Sequence, residues 1–400
     1  MDNKLELLSP AGDMERLTMA LHYGADAVYL AGRQFGMRAA AANFADDELK
    51  KAVELAHGKG ARVYVTCNTL PREDELLNLP EYLQMLQSVG VDALIVADLG
   101  VMAMAKRYAP KVGLHVSTQL GVINSATANA LFDMGGDTVV LARETPMADI
   151  RKIRANTPKE LKIEAFVHGA MCVSFSGRCL LSNYLTGRDA NRGQCAQPCR
   201  WKYHLVEETR PGEYFEITED NGTHILNSRD MCMIEHLDEL IDAGVTSFKI
   251  EGRMKSAYYT AVVTNAYRHA IDAVTAGRGV EQVWIDETDK VSHRPYSTGF
   301  YFGEPGQHYA QASYITNADV AAIVESCDPD GNAVLTQRNK FLAGDELELL
   351  TKDGYPISFT AENMSDAQGE PITDTRHAMM EIHMKLPRYA EKNSIVRKCK

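Results

Sequence analysis

DAVYLAGRQFGMRAAAANFADDELKKAVELAHGKGARVYVT, residues 26–66, holds one repeat of the pattern that sets the fold. DAVYL and RVYVT are short apolar runs of the kind that form buried strands. Between them, DDELKKAVELAHGKG spaces its apolar residues for a helix, opened by a capping Asp and closed by Gly. Working outward, the same alternation covers the first 255 residues. The other apolar runs are LELLS (5–9), ALIVA (93–97), GLHVS (113–117), TVVLA (138–142), KIEAFV (162–167) and SFKIE (247–251). DMERLTMALHYG, with Met14, Leu17 and Leu21 at helical spacing, is a second intervening helix. Strands that are apolar on both faces and separated by helices belong to a parallel sheet covered on both sides. Eight of them in about 250 residues predict an α/β fold, a TIM-like (β/α)8 barrel. A doubly wound open sheet competes, but no G-x-G-x-x-G follows the first strand.

A barrel places its chemistry just after its strands, at the C-terminal mouth. The residues there are mostly polar: Ser9, Asn68, Asp98, Ser117, Gln119, Arg143, Glu144, His168, Glu251, Arg253 and Lys255. Ser9 and Asp98 could be helix caps; a shared pocket explains the rest. After the seventh strand comes an insertion of about sixty residues before MCMIEHLDELIDAG, and long insertions in compact domains usually carry function. The expected division is a barrel over 1–277 with a Cys-rich insertion at 169–230, a connector at 278–311, and a small barrel-like β-domain at 312–400. The last has period-two alternation broken by DPDG and KDGY turns.

The insertion opens with C-x6-C-x15-C-x3-C: Cys172, Cys179, Cys195 and Cys199, with Cys232 further on. The N-terminus has no signal-peptide pattern and no apolar run is long enough to span a membrane, so a cytoplasmic protein is expected. Thiols stay reduced there, which disfavours disulfides. Zinc prefers tighter C-x2-C knuckles. A catalytic thiol would pair Cys172 with His168 as base. An iron–sulfur cluster accepts thiolates from separate turns, and Gly169, Gly177, Gly187, Gly193 and Pro198 punctuate this segment. All three metal or thiol readings remain open on spacing alone.

The net charge of −12 argues against indiscriminate nucleic-acid coating. Two local basic stretches stand out: residues 178–202, with Arg178, Arg188, Arg192, Arg200 and Lys202, and the last sixteen residues. Solvated surface is the ordinary explanation for both.

EAFVHGAMCVSFSGRC (164–179) resembles the signature of the U32 peptidase family, as do ELLSPAGD, GQCAQPCRW, SFKIEGRMKS and YSTGFYFG elsewhere in the chain. The resemblance extends over essentially the whole sequence, the C-terminal β-domain included. It implies oxygen-independent hydroxylation and a 4Fe-4S cluster, since relatives hydroxylate RNA bases or the ubiquinone ring. The similarity is greatest to the branch that forms 5-hydroxyuridine at the tRNA wobble position, with prephenate as a co-substrate. An rRNA- or quinone-hydroxylating role and a U32-type peptidase using Cys172 and His168 are the alternatives. By carry-over, Cys172, Cys179 and Cys195 hold the cluster with Cys199, or with Cys232, as the fourth ligand. The remaining expected site residues are His168, Glu251, Arg253, Lys255, Ser117 and Gln119 for catalysis. Arg143, Asn68, Arg178 and Trp201 would bind substrate. Trp201, Tyr203 and Tyr184 offer faces for an unpaired base, unless they pack the core. The partners implied are tRNA, a small carboxylate, and an electron donor or family paralogue; no membrane is expected.

Overall fold

The structure, a computed structural model, describes residues 5–37, 43–172, 174–201, 204–206, 212, 214–216, 228–306 and 314–400. Eight parallel strands carry the eight apolar runs: β1 (Glu6–Pro10), β2 (Ala27–Leu30), β3 (Arg62–Cys67), β4 (Ala93–Val96), β5 (Gly113–Val116), β6 (Thr138–Val140), β7 (Lys162–Ala170) and β8 (Ser247–Ile250). Each pairs with the next, and β8 pairs with both β7 and β1, so the sheet closes into a barrel. Closure leaves the eight parallel strands paired on both sides, and helices cover the outer face.

Local signals placed most helix starts. Asp13 accepts a hydrogen bond from the Arg16 amide, and Asp98 from the Val101 amide, each at 2.9 Å. Asp46, read as a cap, lies inside its helix, Asp46–Gly58. Ala45 takes the cap position there, and the Glu48 carboxylate reaches back to its amide at 2.8 Å. Ser9 is no cap either: its hydroxyl meets the Thr264 hydroxyl at 2.7 Å, tying β1 to the long helix Ala257–Thr275.

The segment after β7 departs from the sequence expectation at MCMI. Asp230–Cys232 is a strand, antiparallel to β7 through Asp230–Ala170 and Cys232–His168 pairs. A 3-10 turn at Ile234–His236 follows, and the α-helix begins at Leu237. Tyr296–Ser297 then pairs with the new strand.

Residues 318–399 form a six-stranded antiparallel sheet around its own core of Val324, Leu335, Phe341, Leu349 and Ile382. Its joint to the barrel is polar and buried. Arg397, fully buried, donates to Glu287 on the helix Gln282–Thr288 at 2.6 and 2.7 Å, and to Glu348 at 2.8 and 2.9 Å. Nearby, the Tyr23 hydroxyl donates to the Leu350 carbonyl at 3.1 Å, with the Asn393 carbonyl 3.3 Å away. Tyr23→Phe strands these carbonyls and will cost about 1–2 kcal/mol, read as a lower urea midpoint with an unchanged slope. The basic C-terminal stretch is taken up by ion pairs, Lys392 with Glu325, Lys398 with Asp345 and Lys400 with Asp319.

Candidate functional site

β-Strand alternation sends Glu164 and Phe166 of β7, and Lys249 of β8, into the barrel. There the Lys249 ammonium donates to Glu164 at 2.7 Å and lies over the Tyr29 and Phe166 rings at 4.6 and 5.5 Å. His115 Nδ1 is 3.7 Å from the other Glu164 oxygen. Burial alone would push the Glu164 carboxyl up, but the Lys249 charge, with His115 close by, outweighs it and holds it at about 2. A buried charge is tolerated only when paired in this way.

Above this pair, at the C-terminal mouth, lies a cavity. Its walls bring together Asn68, Ser117, Gln119, Arg143, Glu251 and Arg253 from four of the strand ends. Arg143 donates to Glu251 at 3.4 Å and stacks 3.7 Å over the Phe166 ring. Arg253, buried, donates to the Thr66 hydroxyl at 3.1 Å. Gly12 permits this placement, since a Cβ there would sit 2.4 Å from the Arg253 carbonyl.

The Cys-rich segment forms the roof. Ser176 donates through its amide and hydroxyl to Glu144, both at 3.0 Å. Gly177, at φ +73°, packs against the backbone of Gln119, where a Cβ would come within 2.6 Å of a carbonyl. Arg192 reaches across to Glu75 at 2.5 Å and to the Leu70 carbonyl at 3.0 Å. Held at these points, the segment directs Cys172, Cys179, Cys195 and Cys199 onto the same cavity.

Cys232 is elsewhere. Its sulfur faces the Tyr267 and Thr288 hydroxyls at 3.8 and 3.9 Å, and burial pushes its thiol up. It ends a strand rather than starting a helix. Among the described residues, no three His, Cys, Asp or Glu side chains converge on a single-ion point. A lone zinc ion needs its donors drawn to about 2.3 Å. Cys172, Cys179, Cys195 and Cys199, which line one cavity, are the residues that could hold a larger thiolate-bound group.

His168 does not line the cavity. The β7–β8 ladder slips there, Lys249 pairing with Phe166 and Ile250 with His168, so β7 carries one extra residue. Parity with Glu164 and Phe166 is lost. The imidazole instead lies among Tyr259, Tyr267 and Tyr296, with ring centroids 5.9, 5.4 and 5.3 Å away. Burial, with the neighbouring His293 and the Lys255 charge, pushes it down to about 3. The pairing of His168 with Cys172 that a peptidase would need is absent from the hydrogen bonds of the described residues, and the ring faces another part of the fold.

Lys255 also turns away, donating to the Ser292 carbonyl at 2.8 Å and lying 4.2 Å over the Tyr314 ring. The chain reverses at Gly252 and Arg253, so the cation two residues later leaves the mouth. Arg178 lines a neighbouring depression with Asp98 and Leu99. Trp201 and Tyr184 lie outside the cavity and are 47% and 86% exposed, so neither packs the core. Lys202 and Tyr203 lie outside the described residues. The sequence reading passed over Lys249, Glu164, Tyr29, Thr66 and Phe166. The signal available was a charged residue interrupting each of two apolar strands.

Residues 12–311 match peptidase family U32, and residues 316–397 match the peptidase family U32 C-terminal domain. The tRNA hydroxylation protein P1 of Bacillus subtilis is 37% identical over 404 residues, spanning 99% of this chain and 95% of its own. The tRNA hydroxylation protein P of Escherichia coli is 34% identical over 413 residues, spanning 92% of this chain and 91% of its own. A 23S rRNA 5-hydroxycytidine synthase of Escherichia coli is 40% identical over 301 residues, which is 73% of this chain and 44% of that protein. Matched along nearly its whole length by these two domains, the chain belongs to peptidase family U32.

Proposed function

We propose that this chain is an RNA-modifying enzyme that hydroxylates the wobble uridine of tRNA at C5 without molecular oxygen. It would use a 4Fe-4S cluster held by Cys172, Cys179, Cys195 and Cys199, and a small carboxylate co-substrate such as prephenate. The observation that carries the reading is the meeting of four thiols with the polar strand ends in one cavity. Relatives with tRNA and rRNA hydroxylation in their names support the reaction class.

When bound, the cluster would supply electron transfer, held by Cys172, Cys179, Cys195 and Cys199. The chain's own residues bind and orient. Arg143 is braced by Glu251 and Phe166, and Arg253 by Thr66; both present guanidinium groups suited to a carboxylate. Phe166 and Tyr29 give the cavity an apolar floor. Outside the cavity, Tyr184 and Trp201 offer exposed rings for bases splayed out of the anticodon loop. Arg178 and Arg188 lie in the same segment as phosphate contacts.

The test is nucleoside mass spectrometry of tRNA from a deletion strain lacking paralogues, with and without a plasmid copy, beside iron and sulfide analysis of anaerobically purified protein. Hydroxyuridine lost on deletion and restored by the plasmid, with brown protein, is expected. Unchanged hydroxyuridine, or colourless protein free of iron, overturns the proposal.

A further inference from the structure

We infer that Gln119 is a specificity-determining residue that selects uracil over cytosine, because a chain of hydrogen bonds fixes its amide N–H group toward the cavity. The inference rests on the RNA-hydroxylase reading above and adds what the cavity reads on the base.

The orientation follows from a group that can only donate. The Met37 backbone amide donates to Asn68 Oδ1 at 3.1 Å. A flipped Asn68 would set its own NH2 against that N–H, so its oxygen is fixed on this side. Asn68 Nδ2 must then donate, and it meets Gln119 Oε1 at 2.7 Å. The Ser117 hydroxyl donates to the same oxygen at 3.2 Å while its own oxygen accepts from the Gln119 backbone amide at 3.3 Å. With Oε1 engaged twice, Gln119 has only its Nε2 hydrogens left to offer. Asn68, Ser117 and Gln119 all line the cavity, and Nε2 has no hydrogen-bond partner among the described residues.

Uracil and cytosine share the reacting C5 and the 2-carbonyl. They differ at the neighbouring 4-position, an acceptor oxygen in uracil and a donor NH2 in cytosine. A group in the cavity that receives C5 meets the 4-substituent before it meets O2. Gln119 Nε2 is satisfied by uracil O4, whereas cytosine places donor against donor. A site built to hydrogen-bond a substrate rejects the analogue that leaves its polar group unpaired. Asn68 is the positioning residue, since it holds the amide in this sense.

The test uses the full-length, anaerobically purified protein and two anticodon stem–loops that differ only in U or C at the modified position. Binding is measured by fluorescence anisotropy. Wild type is expected to prefer the U loop by about tenfold. Gln119→Glu changes one NH2 to oxygen, keeps the acceptor used by Asn68 and Ser117, and should bring the U-to-C ratio to one or below. Asn68→Asp keeps the acceptor for Met37 but loses the donor that fixes Gln119, and should narrow the ratio with an unchanged melting temperature. If both variants keep the wild-type ratio, or if wild type binds the loops equally, the inference fails while the hydroxylase reading stands. If wild type binds neither loop and the deletion strain keeps its hydroxyuridine, both fail.

Discussion

With the proposed cluster in place, anaerobically purified Cys195→Ala protein is expected to carry fewer than about one iron per chain where wild type would carry about four, and not to restore hydroxyuridine to the deletion strain. Cys172→Ala, Cys179→Ala and Cys199→Ala should behave alike, because all four sulfurs line one cavity. Cys232→Ala should keep both iron and activity. Its thiol contacts Tyr267 and Thr288 on the far side of β7, and burial keeps it protonated. Its loss removes a weak hydrogen-bond partner and a small buried volume, about 1 kcal/mol of stability. Two chain positions compete for the proposed fourth ligand in the sequence; Cys199 lines the cavity and Cys232 does not, which supports Cys199. Iron retained in Cys199→Ala and lost in Cys232→Ala would refute this assignment.

The barrel was legible because each of its eight strands is a short apolar run and each helix between them has its own periodicity and, often, its own cap. Those signals are local, within the reach of a few residues. The site was legible only where it depends on chain order. Residues one to three places beyond a strand end up at the mouth, and Asn68, Ser117, Gln119, Arg143, Glu251 and Arg253 do so. His168 fails the same rule because an extra residue in β7 rotates it off the interior face, and nothing in KIEAFVHGA announces the slip. Lys255 fails because the turn at Gly252 carries it outward to Ser292. The Asn68–Gln119 bond joins positions 51 apart, and the Lys249–Glu164 bond joins positions 85 apart. Pairings of that kind are set by barrel closure and register, which no single stretch of sequence contains.

Lys249→Met should produce the largest stability loss of any single change inside the barrel. Methionine keeps the length of the lysine stem, so packing against Tyr29 and Phe166 is largely retained. What disappears is the charge 2.7 Å from Glu164, a carboxylate with no solvent exposure. Removing one partner of a buried pair costs about 3–5 kcal/mol, because the other is left charged or must take up a proton. The pH dependence identifies the cause. In wild type, Glu164 titrates at about 2 against an ordinary value of 4.5, so its contribution is complete above 4.5 and is lost as pH falls toward 2. In Lys249→Met, burial is no longer offset by the ammonium, and the Glu164 carboxyl rises above its ordinary range. A raised folded value stabilises at low pH and is lost as pH increases. The deficit of the variant is therefore greatest at neutral pH and shrinks as pH falls through the carboxylate range. Urea unfolding at pH 7 and pH 4 measures both limbs. Adding Glu164→Gln to Lys249→Met removes the stranded charge and should recover much of the loss at pH 7, since contacting partners are not additive. A deficit under about 1 kcal/mol, or one equal at both pH values, would show that the pair does not carry this energy.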